Sequence, residues 1–236
     1  PSHPELFGWL AAEFIKQRWD IKKVHRLILT SATYRQSSHA GPAAYAADPE
    51  NRLLARGPRM RLAAEEIRDN ALAVSGLLVK RLGGKSVYPY QPKGLWMELN
   101  NRPGYSRKYP QGQGEDLYRR SLYTFWKRTV PSPMLKTLDA PEREFCTLQR
   151  SRTNTPLQSL LLLNGPQFIE AARQLAGRVM REGGDSVEAR VIFGFRLATG
   201  RRPTPDESAL IRSAYQSQLV RFRADESAAR KLLQVG

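Results

Sequence analysis

Between Tyr118 and Gln158 the chain concentrates side chains that can hold an anion. Arg119, Arg120, Arg128, Arg150 and Arg152 each offer a planar fork of donors that matches carboxylate, sulfate or phosphate. Tyr123 and Trp126 supply aromatic faces of the kind that stack on sugars or bases. Asp139 and Asn154 add polar groups within the same stretch. Eight basic residues face three acids between Arg119 and Arg152, so part of the chain's net charge of +16 is focused here. These nine residues are the candidate anion- or ligand-binding set. A solvated basic face, with the aromatics in the core, is the competing reading.

No reaction is spelled out by these residues. Asp139, Glu142 and Cys146 would form a reactive cluster only if the arginines closed around them and lowered the thiol pKa. A small buried side chain in a strand is the plainer expectation for Cys146. His3, His25 and His39 are too scattered to ligate a metal, so no metal site is expected. No Gly-x-Gly-x-x-Gly, phosphate-loop or nucleophile-elbow pattern occurs. With one cysteine there is neither an internal disulfide nor a Cys-x-x-Cys motif. The basic balance favours polyanions, yet no helix carries the dense basic face of a groove reader, which ranks nucleic acid last.

The elements around this stretch read as helices. Ser2 and Pro4 start one that carries Leu6, Trp9, Leu10 and Phe14. Asp20 caps a second, with Ile21, Val24, Leu27 and Ile28 on one face. A third is expected from about Met60 to Leu78, its apolar stripe being Ala63, Ile67, Ala71, Val74 and Leu78. On that helix Arg61, Glu65, Arg68 and Asp69 should lie mainly off the stripe, in a solvated ion network. Residues 83–117 have no helical period and read as an irregular, loop-rich insert. Its aromatics, Tyr88, Tyr90, Trp96, Tyr105 and Tyr109, argue against full disorder.

Ser121 to Trp126 alternates like a strand covered on both faces, and Phe145 to Leu148 is its expected partner. Thr155-Pro156 starts a helix so apolar that burial is expected. Asn164-Gly165-Pro166 restarts the helix, Gly183-Gly184 ends it, and Asp185 caps the next. Thr204-Pro205-Asp206-Glu207 is a capping box that opens the last helix, which runs on towards Leu233. The fold class is therefore mainly α. It is a single multi-helix domain over 1–236, with a small central β-hairpin or short sheet and a long irregular loop region. No apolar run approaches a membrane span. The start at Pro1, without Met or a signal peptide, reads as a piece of a larger protein.

Several motifs are specific in combination. Ser2-His3-Pro4-Glu5-Leu6 leads to His25-Arg26-Leu27-Ile28-Leu29-Thr30-Ser31-Ala32-Thr33-Tyr34-Arg35-Gln36-Ser37-Ser38. Tyr118-Arg119-Arg120-Ser121-Leu122-Tyr123, Asp139-Ala140-Pro141, Arg152-Thr153-Asn154-Thr155-Pro156-Leu157-Gln158 and Gly200-Arg201-Arg202-Pro203-Thr204 follow in order. Over nearly its whole length the chain resembles the planctomycete PSD-one domain of unknown function. The resemblance implies a C-terminal module of large exported proteins that often carry an upstream cytochrome-like domain. It implies a periplasmic or cell-surface setting, with the upstream domains of the same polypeptide as partners. Haem c is implied only for such an upstream part, and this chain is expected to hold no cofactor. The expected role is an accessory or binding module that contacts anionic polysaccharide or a neighbouring domain. The alternative is part of a haem-linked redox or hydrolytic system on polysaccharide, which needs Asp139 or Glu142 in one pocket with the arginines.

Overall fold

The computed structural model describes residues 2–99 and 107–236. The expected turn at Asn100-Asn101-Arg102-Pro103-Gly104, and Tyr105, lie outside the described residues. Twelve α-helices and two 3₁₀ turns make up the described elements, and no β-strand occurs among these residues. The chain divides into two compact units, 1–61 and 62–236, and each is described by itself. No helix is long and apolar enough to cross a membrane among the described residues.

The first unit holds α1 (Pro4–Lys16), α2 (Ile21–Thr30), α3 (Ala32–Arg35) and α4 (Pro42–Ala47). Asp20 caps α2 as expected, accepting from the Lys23 amide at 3.1 Å. Ser2 does not cap α1; His3 takes that place without a side-chain bond. The loop after α4 is tied by its own polar groups. The Asp48 carboxylate accepts from the Arg52 and Leu53 amides at 2.9 and 2.8 Å, which holds its pKa below the usual value. Arg56 is buried, bonds the Pro49 carbonyl at 2.7 Å and lies 4.3 Å over the Tyr45 ring.

The second unit is organised on α5 (Ala64–Ser75) and α9 (Pro166–Glu182), its most extensively packed helix pair. Helix α5 is shorter than its apolar period suggests. Glu66 reaches back to the Ala63 amide at 2.8 Å to start it. Gly76, at φ 83°, ends it in the left-handed region that glycine enters freely. Its buried positions are Ala64, Arg68, Leu72 and Ser75. The deepest face is thus one step round from the expected stripe, whose Ile67 and Ala71 flank the core. That core gathers Ala64, Met134 and Leu135 of α7 (Pro133–Thr137), Leu138, Ala140 and Phe168 of α9.

The expected hairpin is absent. Ser121–Tyr123 is a 3₁₀ turn, and residues 145–148 are exposed and irregular. The segment pairs instead through isolated parallel bridges, Val79 with Arg119 and Val87 with Thr124. The reason is competition for backbone donors. The Asp69 carboxylate takes the Ser121 amide at 2.7 Å, so no ladder can run through that residue. Cys146 is likewise exposed in a loop and not buried in a strand.

Helix α8 (Pro156–Asn164) begins at Thr155-Pro156 as expected, with the Thr155 amide bonded to Gln158 at 3.0 Å. Its burial does not follow. Gln158 is the buried residue, while Leu157, Leu160 and Leu163 are exposed. The helix packs on the core through Leu161, beside the buried Gln158. Helix α10 (Val187–Thr199) is capped by Ser186, not Asp185, through the Ala189 amide at 3.1 Å. The capping box stands: Thr204 accepts from the Glu207 amide at 3.2 Å and donates its own to Glu207 at 2.8 Å. The helix it opens, α11 (Pro205–Ala224), ends before Leu233. Asp225 breaks the run and caps α12 (Glu226–Leu233), accepting from the Ala228 amide at 2.9 Å.

Candidate functional site

The nine residues expected to line one anion surface occupy several distinct bonding environments. Arg119 is 1% exposed. Its guanidinium bonds the carbonyls of Lys85 and Arg81, each at 3.1 Å, and that of Gly83. It also lies 3.8 Å over the Tyr123 ring, whose hydroxyl accepts from the Gly83 amide at 2.8 Å. Arg119 and Tyr123 thus form the inner support of the 81–85 turn. Arg120 pairs with Asp69 at 3.6 Å.

Trp126 packs against the core, donates to the Glu142 carbonyl at 3.0 Å and lies under Arg143 at 4.8 Å. Asp139 stands at φ 67°. Its carboxylate accepts from the Thr153 amide at 2.7 Å, the Thr153 hydroxyl at 2.9 Å and Gln158 at 3.2 Å. It therefore fixes the approach to α8. Arg150 pairs with Glu65 of α5 at 2.8 Å, a partner from outside the helix. Arg128, Arg152 and Asn154 are exposed. Glu142 pairs with Lys136 at 2.5 Å, apart from the groups that hold Asp139.

Arg68, expected on a solvated face, is instead 0% exposed and the hub of the unit. It donates to Gln167 Oε1 from Nε and Nη2 at 3.3 and 3.1 Å. Its other donors reach the carbonyls of Arg119 at 2.8 Å and Leu117 at 2.7 Å, and the Ser121 hydroxyl at 3.2 Å. Burial pushes its pKa down to about 10, with Asp69 opposing. It stays charged at neutral pH and ties α5, the 117–121 segment and α9 together. Another buried polar group, Glu170 of α9, accepts from the Tyr118 hydroxyl at 2.6 Å. Burial, and then the bond to Glu170, push that phenol's pKa up.

A better-formed site lies in the loop-rich insert. Tyr88, Trp96, Tyr109 and Phe125 build an aromatic cluster. Tyr88 stacks on Phe125 at 4.8 Å, and Trp96 meets Tyr109 edge-on at 5.2 Å. The Tyr109 hydroxyl donates to the Pro89 carbonyl at 2.5 Å, and burial raises its pKa. Gly94, at φ 84°, turns the chain into α6 (Leu95–Glu98), which carries Trp96. Lys127 reaches over the Trp96 ring at 4.2 Å.

On this cluster sits an open groove of about 450 Å³, lined by Gln91, Lys93, Trp96, Arg107, Lys108 and Tyr109 among others. Three cations line it and, among the described residues, no carboxylate does. Three of its buried donors, Gln91 Nε2, Trp96 Nε1 and Arg107 Nε, have no acceptor among the described residues. Buried donors without partners mark places where an acceptor-bearing ligand or an ordered water belongs. The arrangement can bind an anion or an acceptor-rich chain. Among the described residues it shows no nucleophile and base in hydrogen-bond contact. Among the described residues no group of His, Cys, Asp and Glu could hold a metal ion.

The signal for this groove was present in the sequence as aromatics interleaved with Lys93, Arg107 and Lys108 in a segment without helical period. Its convergence was not, because the lining residues come from two stretches joined only by tertiary packing.

The model of the PSD1 family, described as a protein of unknown function (DUF1553), matches residues 1–215. No curated protein and no solved structure matches the chain.

Proposed function

Since the chain belongs to the PSD1 family, whose function its description leaves open, we propose that it is a non-catalytic binding module of an exported multidomain protein. Its ligand is an anionic polysaccharide held in the groove at Lys93, Trp96, Arg107 and Lys108. The observation that carries this reading is the donor-rich character of that groove: three cations, three unpaired N–H groups and, among the described residues, no lining carboxylate. Sulfate and uronate groups are acceptor-only at neutral pH and match it. The exported setting and a haem domain upstream belong to the same proposal and rest on the family resemblance.

The enzymatic alternative needs Asp139 or Glu142 in a pocket with the arginines. Asp139 is engaged by Thr153 and Gln158, and Glu142 by Lys136, which gives that reading no support. Arg119 is a poor test residue, because its removal would collapse the 81–85 turn. Lys93→Ala/Lys108→Ala changes only exposed cations at the groove. At roughly 1 kcal/mol per cation facing an anionic surface, the pair should weaken binding about thirtyfold. Retention on a sulfated-glycan column across a salt gradient measures this. The parent should elute late and the double variant early. Equal elution of the two refutes the groove as the site.

A further inference from the structure

Gln91 and Pro92 line the groove and also a second, narrower cavity of about 220 Å³. The rest of that cavity comes from Met134 and Thr137 of α7, Leu161 of α8 and Gln167 at the start of α9, among others. Its walls are largely apolar and, among the described residues, no charged side chain lines it. Gln167 is 2% exposed. Because its Oε1 accepts twice from Arg68, its amide cannot flip without setting N–H groups against a guanidinium. Its Nε2 is therefore fixed as a donor, and it has no acceptor among the described residues. Gln91 Nε2 also has no acceptor among the described residues.

An uncharged cavity with apolar walls and one fixed amide donor selects against some groups and for others. A carboxylate or an ammonium entering it would lose hydration with no opposite charge to meet it. A short acyl group fits: its methyl meets the apolar wall and its carbonyl oxygen accepts from the amide. We propose that this cavity is a subsite for an acetyl substituent carried by the anionic glycan in the groove. The subsite rests on the groove reading, since Gln91 and Pro92 are the wall the two share. The groove reads charge, and the cavity reads acylation.

The test uses the whole chain and three oligosaccharides of equal length: alginate, chemically O-acetylated alginate, and hyaluronan, which carries N-acetyl groups. Acetylation of alginate hydroxyls leaves its carboxylates intact, so charge is held constant. By isothermal titration, the O-acetylated chain should bind about tenfold tighter than plain alginate, equivalent to about 1.4 kcal/mol. Hyaluronan shows whether an N-acetyl group serves equally. The side-chain amide resonance of Gln167 should shift with acetylated ligand and not with plain alginate. Leu161→Trp, which fills the cavity, should cancel the preference; Thr137→Leu is the milder version should the first not fold. Equal affinity for plain and acetylated alginate overturns the subsite and leaves the groove standing. A preference that survives both cavity-filling variants also overturns it. No binding to any of the three overturns the subsite together with the groove.

Discussion

Replacing Arg68 by methionine tests the account of the second unit most directly. The side chain is fully buried and donates five hydrogen bonds. Methionine matches much of its length and none of its donors. It strands the Leu117 and Arg119 carbonyls and Gln167 Oε1 in the interior. Each stranded acceptor costs about 1–3 kcal/mol, so the gross loss is roughly 3–9 kcal/mol. Against this stands relief from burying a charge. Burial pulls the guanidinium pKa down to about 10, and at about 1.4 kcal/mol per pKa unit that relief is roughly 3 kcal/mol. The net expectation is a destabilisation of about 3 kcal/mol, a large share of a typical domain's stability. Urea unfolding followed by tryptophan fluorescence measures it. A Trp9→Phe/Trp19→Phe background leaves Trp96 and Trp126, both in the second unit, as reporters. Arg68→Lys keeps the charge but not the fork, and should also lose stability. An Arg68→Met midpoint within about 0.5 kcal/mol of the parent would mean that the hub is dispensable and that packing alone organises the unit.

Two further outcomes follow from single residues. Glu207 is pulled down from 4.5 to about 2 by Arg201 and the Thr204 amide. Its contribution is therefore complete above about pH 4.5 and is lost as the pH falls through about 2. The thermal midpoint of the parent should exceed that of Glu207→Gln above pH 4.5, and the gap should close towards pH 2; a gap constant with pH refutes the assignment. Cys146 is exposed, so a disulfide reagent should label one thiol in the native chain within about tenfold of the rate in denaturant. Labelling that requires denaturant would return it to the interior.

Much of the helical layout was legible because caps and breaks are local. Asp20, Thr155-Pro156, Gly183-Gly184 and the Thr204–Glu207 box each act within three or four residues, so the chain declares them. Asp225 acts locally too, but was hidden inside an unbroken apolar period. The strand reading of Ser121 to Trp126 failed for the opposite reason. Alternation was there, but whether it becomes a ladder depends on the Ser121 amide finding a strand, and Asp69, far away in the chain, reaches it first. The leucines of α8 illustrate the same limit, since composition says a residue is apolar and not what covers it.

The candidate site followed this division. Arginine density between Arg119 and Arg152 was plain, but its meaning changed with partners. Arg119 turns inward onto three carbonyls, Arg150 meets Glu65, and Asp139 serves the approach to α8. Arg68 read as one member of a solvated ion network on an amphipathic helix. Yet Ala64, Arg68, Leu72 and Ser75 recur at helical spacing, a face as regular as the one read as apolar.

What the amino-acid sequence determined by itself is the family, the mainly helical class, most helix ends and the basic charge. These are local or additive quantities. Tertiary structure alone decided which arginines are ties and which are free to meet a ligand. It also decided that Gln91, Trp96 and Arg107, each with an unpaired donor, line one groove. The physical reason is that a guanidinium or an amide is defined by its acceptor, and in this chain the acceptors lie tens of residues away.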